Sequence, residues 1–114
     1  MKNMISVLYS PQYGAGWYSW NQGFENCLFN LELVELVKKK ELLEKEKQDT
    51  TQIIKEIENK AESLYSDEFY AGGARSLRIE QMPEGTLFNI KEYDGFESIE
   101  YCEDKQWLVA KKLL

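Results

Sequence analysis

Apolar residues along this chain keep two different periods, and the change between them limits the folds open to it. From Phe24 onward they recur every three or four positions, at Phe24, Cys27, Leu28, Leu31, Val34 and Val37, as one helix face requires. Beyond the double glycine Gly72-Gly73 they alternate: Leu77 and Ile79 against Arg78 and Glu80, then Phe88 and Ile90 against Asn89 and Lys91. Ahead of both patterns, Met4-Ile5-Ser6-Val7-Leu8-Tyr9 is a short run of strand formers closed by Ser10-Pro11. This order predicts an α+β fold. It comprises an N-terminal strand, two helices and then a four-stranded antiparallel meander, with the helices packed on one face of the sheet.

The helical half carries its own punctuation. Asn30 is placed to cap a helix starting near Leu31, with Glu32 in the first turn. Phe29, Leu33 and Leu36 add a second apolar strip, so this helix should be covered on more than one side. Lys38-Lys39-Lys40 is read as a last helical turn whose charges satisfy the negative end, in preference to a phosphate clamp. Asp49-Thr50-Thr51-Gln52 forms a capping box with Asp49 as N-cap. Ile53, Ile54, Ile57, Ala61, Leu64 and Tyr65 then supply the stripe of a second helix; one continuous bent helix is the alternative.

In the strand half, Ser66 to Gly73 is a loop and Met82-Pro83-Glu84-Gly85 a turn. Asp94-Gly95 between Tyr93 and Phe96 is the strongest hairpin signal in the chain. Ile99 and Tyr101 alternate, Glu103-Asp104-Lys105 turns, and Trp107 and Val109 mark a last strand.

With 114 residues, the chain has the length of a single domain, 1–114. At 43% hydrophobic and 30% charged residues, its composition is that of a soluble globular protein. No apolar run approaches the ~20 residues that cross a bilayer. The N-terminus lacks the apolar core of a signal peptide, which predicts a cytoplasmic protein with no membrane partner. A net charge of −6 argues against binding DNA, though it leaves room for a basic partner protein. There is no histidine, so the commonest general base and metal ligand are both missing. Cys27 and Cys102 are read as two buried, reduced thiols that cannot by themselves fill a zinc site. No catalytic residues, metal or cofactor are expected.

One stretch draws functional attention. Tyr9 to Gly23 crowds Tyr9, Tyr13, Trp17, Tyr18 and Trp20 around Gly14-Ala15-Gly16, where a strand hands over to a helix. Such a turn can present free N–H groups to an anion. It is neither a P-loop nor a dinucleotide fingerprint. Its aromatic rings either plug the core or stack on a planar ligand. Arginine occurs only at Arg75 and Arg78. Arg75, in the glycine-rich loop, is the better phosphate ligand, since Arg78 alternates with core positions and should face solvent. The acidic run Glu92, Asp94, Glu97, Glu100, Glu103 and Asp104 is read as a solvated face that discourages edge pairing, not as catalytic carboxylates.

Three segments taken together resemble small phage and prophage proteins. They are Val7-Leu8-Tyr9-Ser10-Pro11 running into Gly14-Ala15-Gly16-Trp17, Gly72-Gly73-Ala74-Arg75, and Phe88 through Ile99. The family they resemble is the phage Thoeris anti-defence sponge of the first-described type. That resemblance implies a non-catalytic protein that sequesters cyclic ADP-ribose signals made by a bacterial TIR-domain enzyme. Some members also hold cyclic oligonucleotides at other sites on an oligomer, and two arginines are few for such a second site. The implied pocket joins the Gly14–Trp20 turn to the loop around Arg75. The candidate ligand residues are Tyr13, Gly14, Ala15, Gly16, Trp17, Trp20, Phe24, Gly73 and Arg75. A homodimer or higher oligomer through the second helix is expected, because one small sheet cannot cover both helices' apolar strips. The rivals are an acidic protein that inhibits a host protein directly, and a nucleotide hydrolase or lyase working through carboxylates.

Overall fold

In the computed structural model, which describes residues 3–102 and 110–112, Asn30 sets the start of the first helix. Its Oδ1 accepts the backbone N–H of Leu33 at 3.0 Å, and α1 spans Leu31–Lys45. The charged stretch after Lys40 continues the helix, being built of Glu, Leu and Lys, all strong helix formers. Lys38, Lys39 and Lys40 therefore lie inside α1 and not in its last turn. The helix closes in a Schellman motif. Gln48 N–H donates to the Leu43 carbonyl at 2.8 Å and Lys47 N–H to that of Glu44 at 3.0 Å, with Lys47 left-handed at φ 57°.

That stop makes two helices, not one bent one. Asp49 Oδ1 accepts the backbone N–H and the hydroxyl of Thr51, at 3.0 and 2.8 Å, and these bonds hold its carboxyl below the usual range. The second helix, α2, spans Thr51–Tyr65, one residue later than a capping box led by Asp49 predicts.

Strand β1 (Met4–Tyr9) pairs antiparallel with β2 (Arg78–Pro83), setting Leu8 opposite Ile79 and Ile5 opposite Met82. Strands β3 (Phe88–Tyr93) and β4 (Phe96–Tyr101) form a second antiparallel ladder. The α+β order read from the sequence is thus the observed one, with the strands shared between two ladders. The expected last strand at Trp107 and Val109, with its preceding turn, lies outside the described residues.

The β1/β2 ribbon is the middle layer. Leu8 and Ile79 join Leu33, Val34, Val37, Ile57 and Ala61 in the core beneath the helices. Ile5, Val7 and Met82 pack on the other side against Phe88, Ile90, Ile99 and Tyr101 of the hairpin. Burial on both faces explains why β1 reads as an almost continuous apolar run.

Helix α1 also serves the backbone of β2 and the residue before it. Lys40 Nζ donates to the Leu77 carbonyl at 3.3 Å, and Glu41 Oε1 accepts the Ile79 N–H at 3.1 Å. Glu44 Oε1 takes Lys40 at 3.2 Å and Arg78 at 2.6 Å. Arg78 is therefore tied to α1 instead of facing open solvent. Lys40 is buried, which pushes its ammonium pKa below the usual value. Among the described residues, no helix is long and apolar enough to cross a membrane.

Lys47 accepts a left-handed backbone at a cost of roughly 1 kcal/mol that glycine escapes. Lys47→Gly should raise stability by about 0.5 kcal/mol in urea unfolding with an unchanged m-value, after the extra chain entropy of glycine is offset. A loss of stability would show that the motif is not formed in solution.

Candidate functional site

The hairpin tip and the glycine loop meet backbone to backbone. Asp94 and Gly95 have φ of 50° and 82°, the two left-handed residues of a type I′ turn. The Asp94 carbonyl accepts the Gly14 N–H at 3.1 Å. A Cβ on Gly95 would fall 2.7 Å from Ala15 N, so this contact requires glycine.

From this tip, β4 carries Glu97 into the interior, where its side chain is fully buried. Oε1 accepts the Ser10 N–H at 2.9 Å. Oε2 accepts the Trp17 N–H at 2.8 Å, the Ser19 N–H at 2.8 Å and the Ser19 hydroxyl at 2.6 Å. Glu97 N–H in turn donates to the Ser10 carbonyl at 2.9 Å. The strand-to-helix turn does collect an anion, as its free N–H groups suggest, but the anion is the chain's own carboxylate. Glu97 therefore does not belong to a solvated acidic face.

This arrangement sorts the nine candidate residues. Gly16 is buried in the loop, and Gly73 is buried against its back, where a Cβ would lie 2.8 Å from the Gly16 carbonyl oxygen. Trp17 is fully buried, donates Nε1–H to the Cys27 carbonyl at 2.9 Å and meets Phe69 edge-on at 4.9 Å. Phe24 packs on Tyr65 and Phe69, with centroids 5.9 and 5.7 Å away. Trp17 and Phe24 are core plugs, and neither lines the cavity described next.

Four of the nine do share a cavity of about 370 Å³. Tyr13, Gly14 and Ala15 form one wall, and Gly72, Arg75 and Ser76 of the 3₁₀ turn Gly72–Ser76 form another. Tyr70 and Glu58 of α2 complete the lining. Trp20 stands behind Tyr70, stacked at 5.5 Å and 29°, and donates Nε1–H to Glu92 at 3.0 Å. Asn21 fixes the Tyr70 backbone by accepting its N–H at 2.7 Å and donating to its carbonyl at 2.9 Å. Tyr13 rests on Phe96 at 5.1 Å and stays 68% exposed; Tyr70 stays 52% exposed.

Chemically the cavity offers phenol rings, one guanidinium and one carboxylate. Arg75 is exposed, and among the described residues it enters no ion pair. Nor are three or more His, Cys, Asp or Glu side chains placed to share a metal ion among those residues. Cys27 is buried, as expected; Cys102 is exposed, because β4 ends just before it. Compared with known proteins, the chain matches no family model, no curated protein and no solved structure.

Sequence reasoning missed Glu97, Tyr70, Asn21 and Glu58. A signal existed for Glu97: it is in phase with Ile99 and Tyr101, so alternation alone places it on the inner face of β4. Tyr70 and Asn21 have no comparable signature, since they act through each other across 49 residues of chain, and Glu58 only lines the cavity.

Glu97→Gln replaces a double acceptor with one acceptor and one donor facing the Ser10, Trp17 and Ser19 N–H groups. It should cost about 3–5 kcal/mol in urea unfolding. A loss under 1 kcal/mol would mean that the buried carboxylate does not hold the loop.

Burial, with the nearby Glu97 charge adding to it, pushes the Cys27 thiol up to about 12 from its ordinary 9.0. The unfolded thiol releases its proton near pH 9 and the folded one near pH 12. Over that window the folded state holds the extra proton, so stability falls as pH rises, by roughly 4 kcal/mol in total. Cys27→Ala should flatten this alkaline limb in pH-dependent unfolding; an unaltered slope would assign it to other groups.

Proposed function

We propose that this protein binds a nucleotide-derived signal of the cyclic ADP-ribose class and sequesters it without chemical change. In this proposal it is a phage anti-defence protein acting in the bacterial host cytoplasm, where it would blunt TIR-dependent immunity. The supporting observation is the cavity beside the glycine loop, lined by exposed Tyr13 and Tyr70 and by the guanidinium of Arg75, which enters no ion pair among the described residues. Rings of this kind suit a base or ribose, and a guanidinium suits a phosphate. The volume lies within the range of small-molecule sites, roughly 300–1,000 Å³. The segments that resemble the sponge family supply two of the cavity's walls.

Self-association belongs to the same proposal. The α2 stripe is largely buried within the chain at Ile53, Ile57 and Ala61. One surface open to a second copy is the apolar groove of Leu42 and Leu43 beside Ile53.

The test is to expose the purified protein to lysate containing the active TIR enzyme, wash it, denature it by heat and identify released small molecules by mass spectrometry. An unmodified cyclic ADP-ribose isomer is expected; release of no nucleotide would overturn the proposal. Light scattering of the same sample should give at least twice the 13.4 kDa chain mass, and a monomer mass would end the assembly part. Arg75→Ala should weaken binding on the order of 10- to 100-fold, the worth of one hydrogen bond to a charged group, with Tm shifted by less than about 2 °C. A folded Arg75→Ala protein of unchanged affinity would remove Arg75 from the site.

A further inference from the structure

Glu58 is the cavity's second charged group. It projects from α2 beside the buried positions Ile57 and Ala61 and is itself half-buried. Among the described residues it enters no ion pair. In particular it makes none with Arg75, although both line the same cavity. A carboxylate without a cationic partner disfavours a phosphate or a carbonyl edge nearby. It can only accept hydrogen bonds. Its favourable neighbour is therefore a ligand edge that donates N–H, at a place the guanidinium does not neutralise.

We propose that Glu58 reads the exocyclic amino group of the ligand's purine, while Arg75 takes the phosphate end. The two charges then orient the ligand: the donor-bearing base is drawn toward α2 and the anion toward the 3₁₀ turn. Tyr13 and Tyr70 supply ring surface for the base, and Trp20 and Asn21 hold Tyr70 in place. A purine without N–H donors leaves the Glu58 carboxylate partly desolvated and unpaired, which costs more than a missing contact. This inference rests on the nucleotide reading of the cavity and adds the element that discriminates among bases.

The test uses two probes: the cyclic ADP-ribose whose ring closes ribose to ribose, leaving the adenine amino group free, and its 6-deamino counterpart with hydrogen in that position. Calorimetry on the full chain should show the amino-bearing probe binding on the order of 10- to 100-fold tighter. Glu58→Ala should bind both probes alike with an unchanged melting curve. Glu58→Gln, which keeps an acceptor oxygen but no charge, should retain an intermediate preference. Equal affinity of the wild-type protein for the two probes overturns the role of Glu58 and leaves the nucleotide reading intact. Discrimination that persists in Glu58→Ala assigns the amino group to another residue and overturns it as well. Failure of the wild-type protein to bind either probe overturns this inference, whereas the nucleotide reading falls only if no nucleotide is released from protein exposed to the TIR-enzyme lysate.

Discussion

The structure depends on one buried carboxylate. Moving an ionised Glu97 out of water is costly, and among the described residues no cation compensates it. Compensation comes from dipoles: three backbone N–H groups and a hydroxyl converge on two oxygens at 2.6–2.9 Å. Those donors belong to the loop from Ser10 to Ser19, and the acceptor lies 78 to 87 residues further along the chain. Neither partner is satisfied without the other, so the loop and the hairpin order together. The same bonds set the backbone at Trp17, whose ring then closes the core under the helices.

What could be read from the sequence and what could not follow from this. Local signals were legible: the helix start at Asn30, the type I′ turn at Asp94-Gly95, and the change of period that separates helices from strands. Each is decided by residues a few positions apart. Lys40, read as serving a helix end, and Glu97, read as part of a solvated face, are both buried. Both also find partners on other elements, the Leu77 carbonyl for Lys40 and the glycine loop for Glu97, and composition carries no record of such pairings. Arg78 followed the same pattern, because the acceptor that draws it from solvent is Glu44 on α1. The candidate site was legible as a region and not as a surface. Glycines and aromatics near Tyr13 marked it, but which rings face inward was settled by Trp17 finding the Cys27 carbonyl and by Asn21 clamping Tyr70.

This division sharpens what the glycine loop does. Its N–H groups at Trp17 and Ser19 point inward to Glu97, so they are not available to a phosphate in the cavity. On the proposed reading, a ligand meets only the outer side of the loop, at Tyr13, Gly14 and Ala15. Among the described residues, one guanidinium is then the only cationic contact the cavity offers, within a chain of net charge −6. Long-range attraction of an anion is weak under those conditions and is screened further by salt. Affinity would have to come from ring contacts and from the low cost of occupying a surface already in place.

Pre-organisation is what the Glu97 network contributes to such binding. Tyr70 is held through its backbone by Asn21 and through its ring by Trp20, and Trp20 is in turn held by Glu92 at the hairpin tip. Side chains fixed before the ligand arrives lose little rotamer freedom on binding. A protein that withholds a signal needs slow release more than rapid capture, and differences of that kind lie mostly in the dissociation rate. On the proposed reading, the buried carboxylate and the exposed cavity are linked parts of one device. The first stiffens the loop from beneath, and the second would use the stiffened rim, with Arg75 and Glu58, which enter no ion pair among the described residues, orienting the ligand between them.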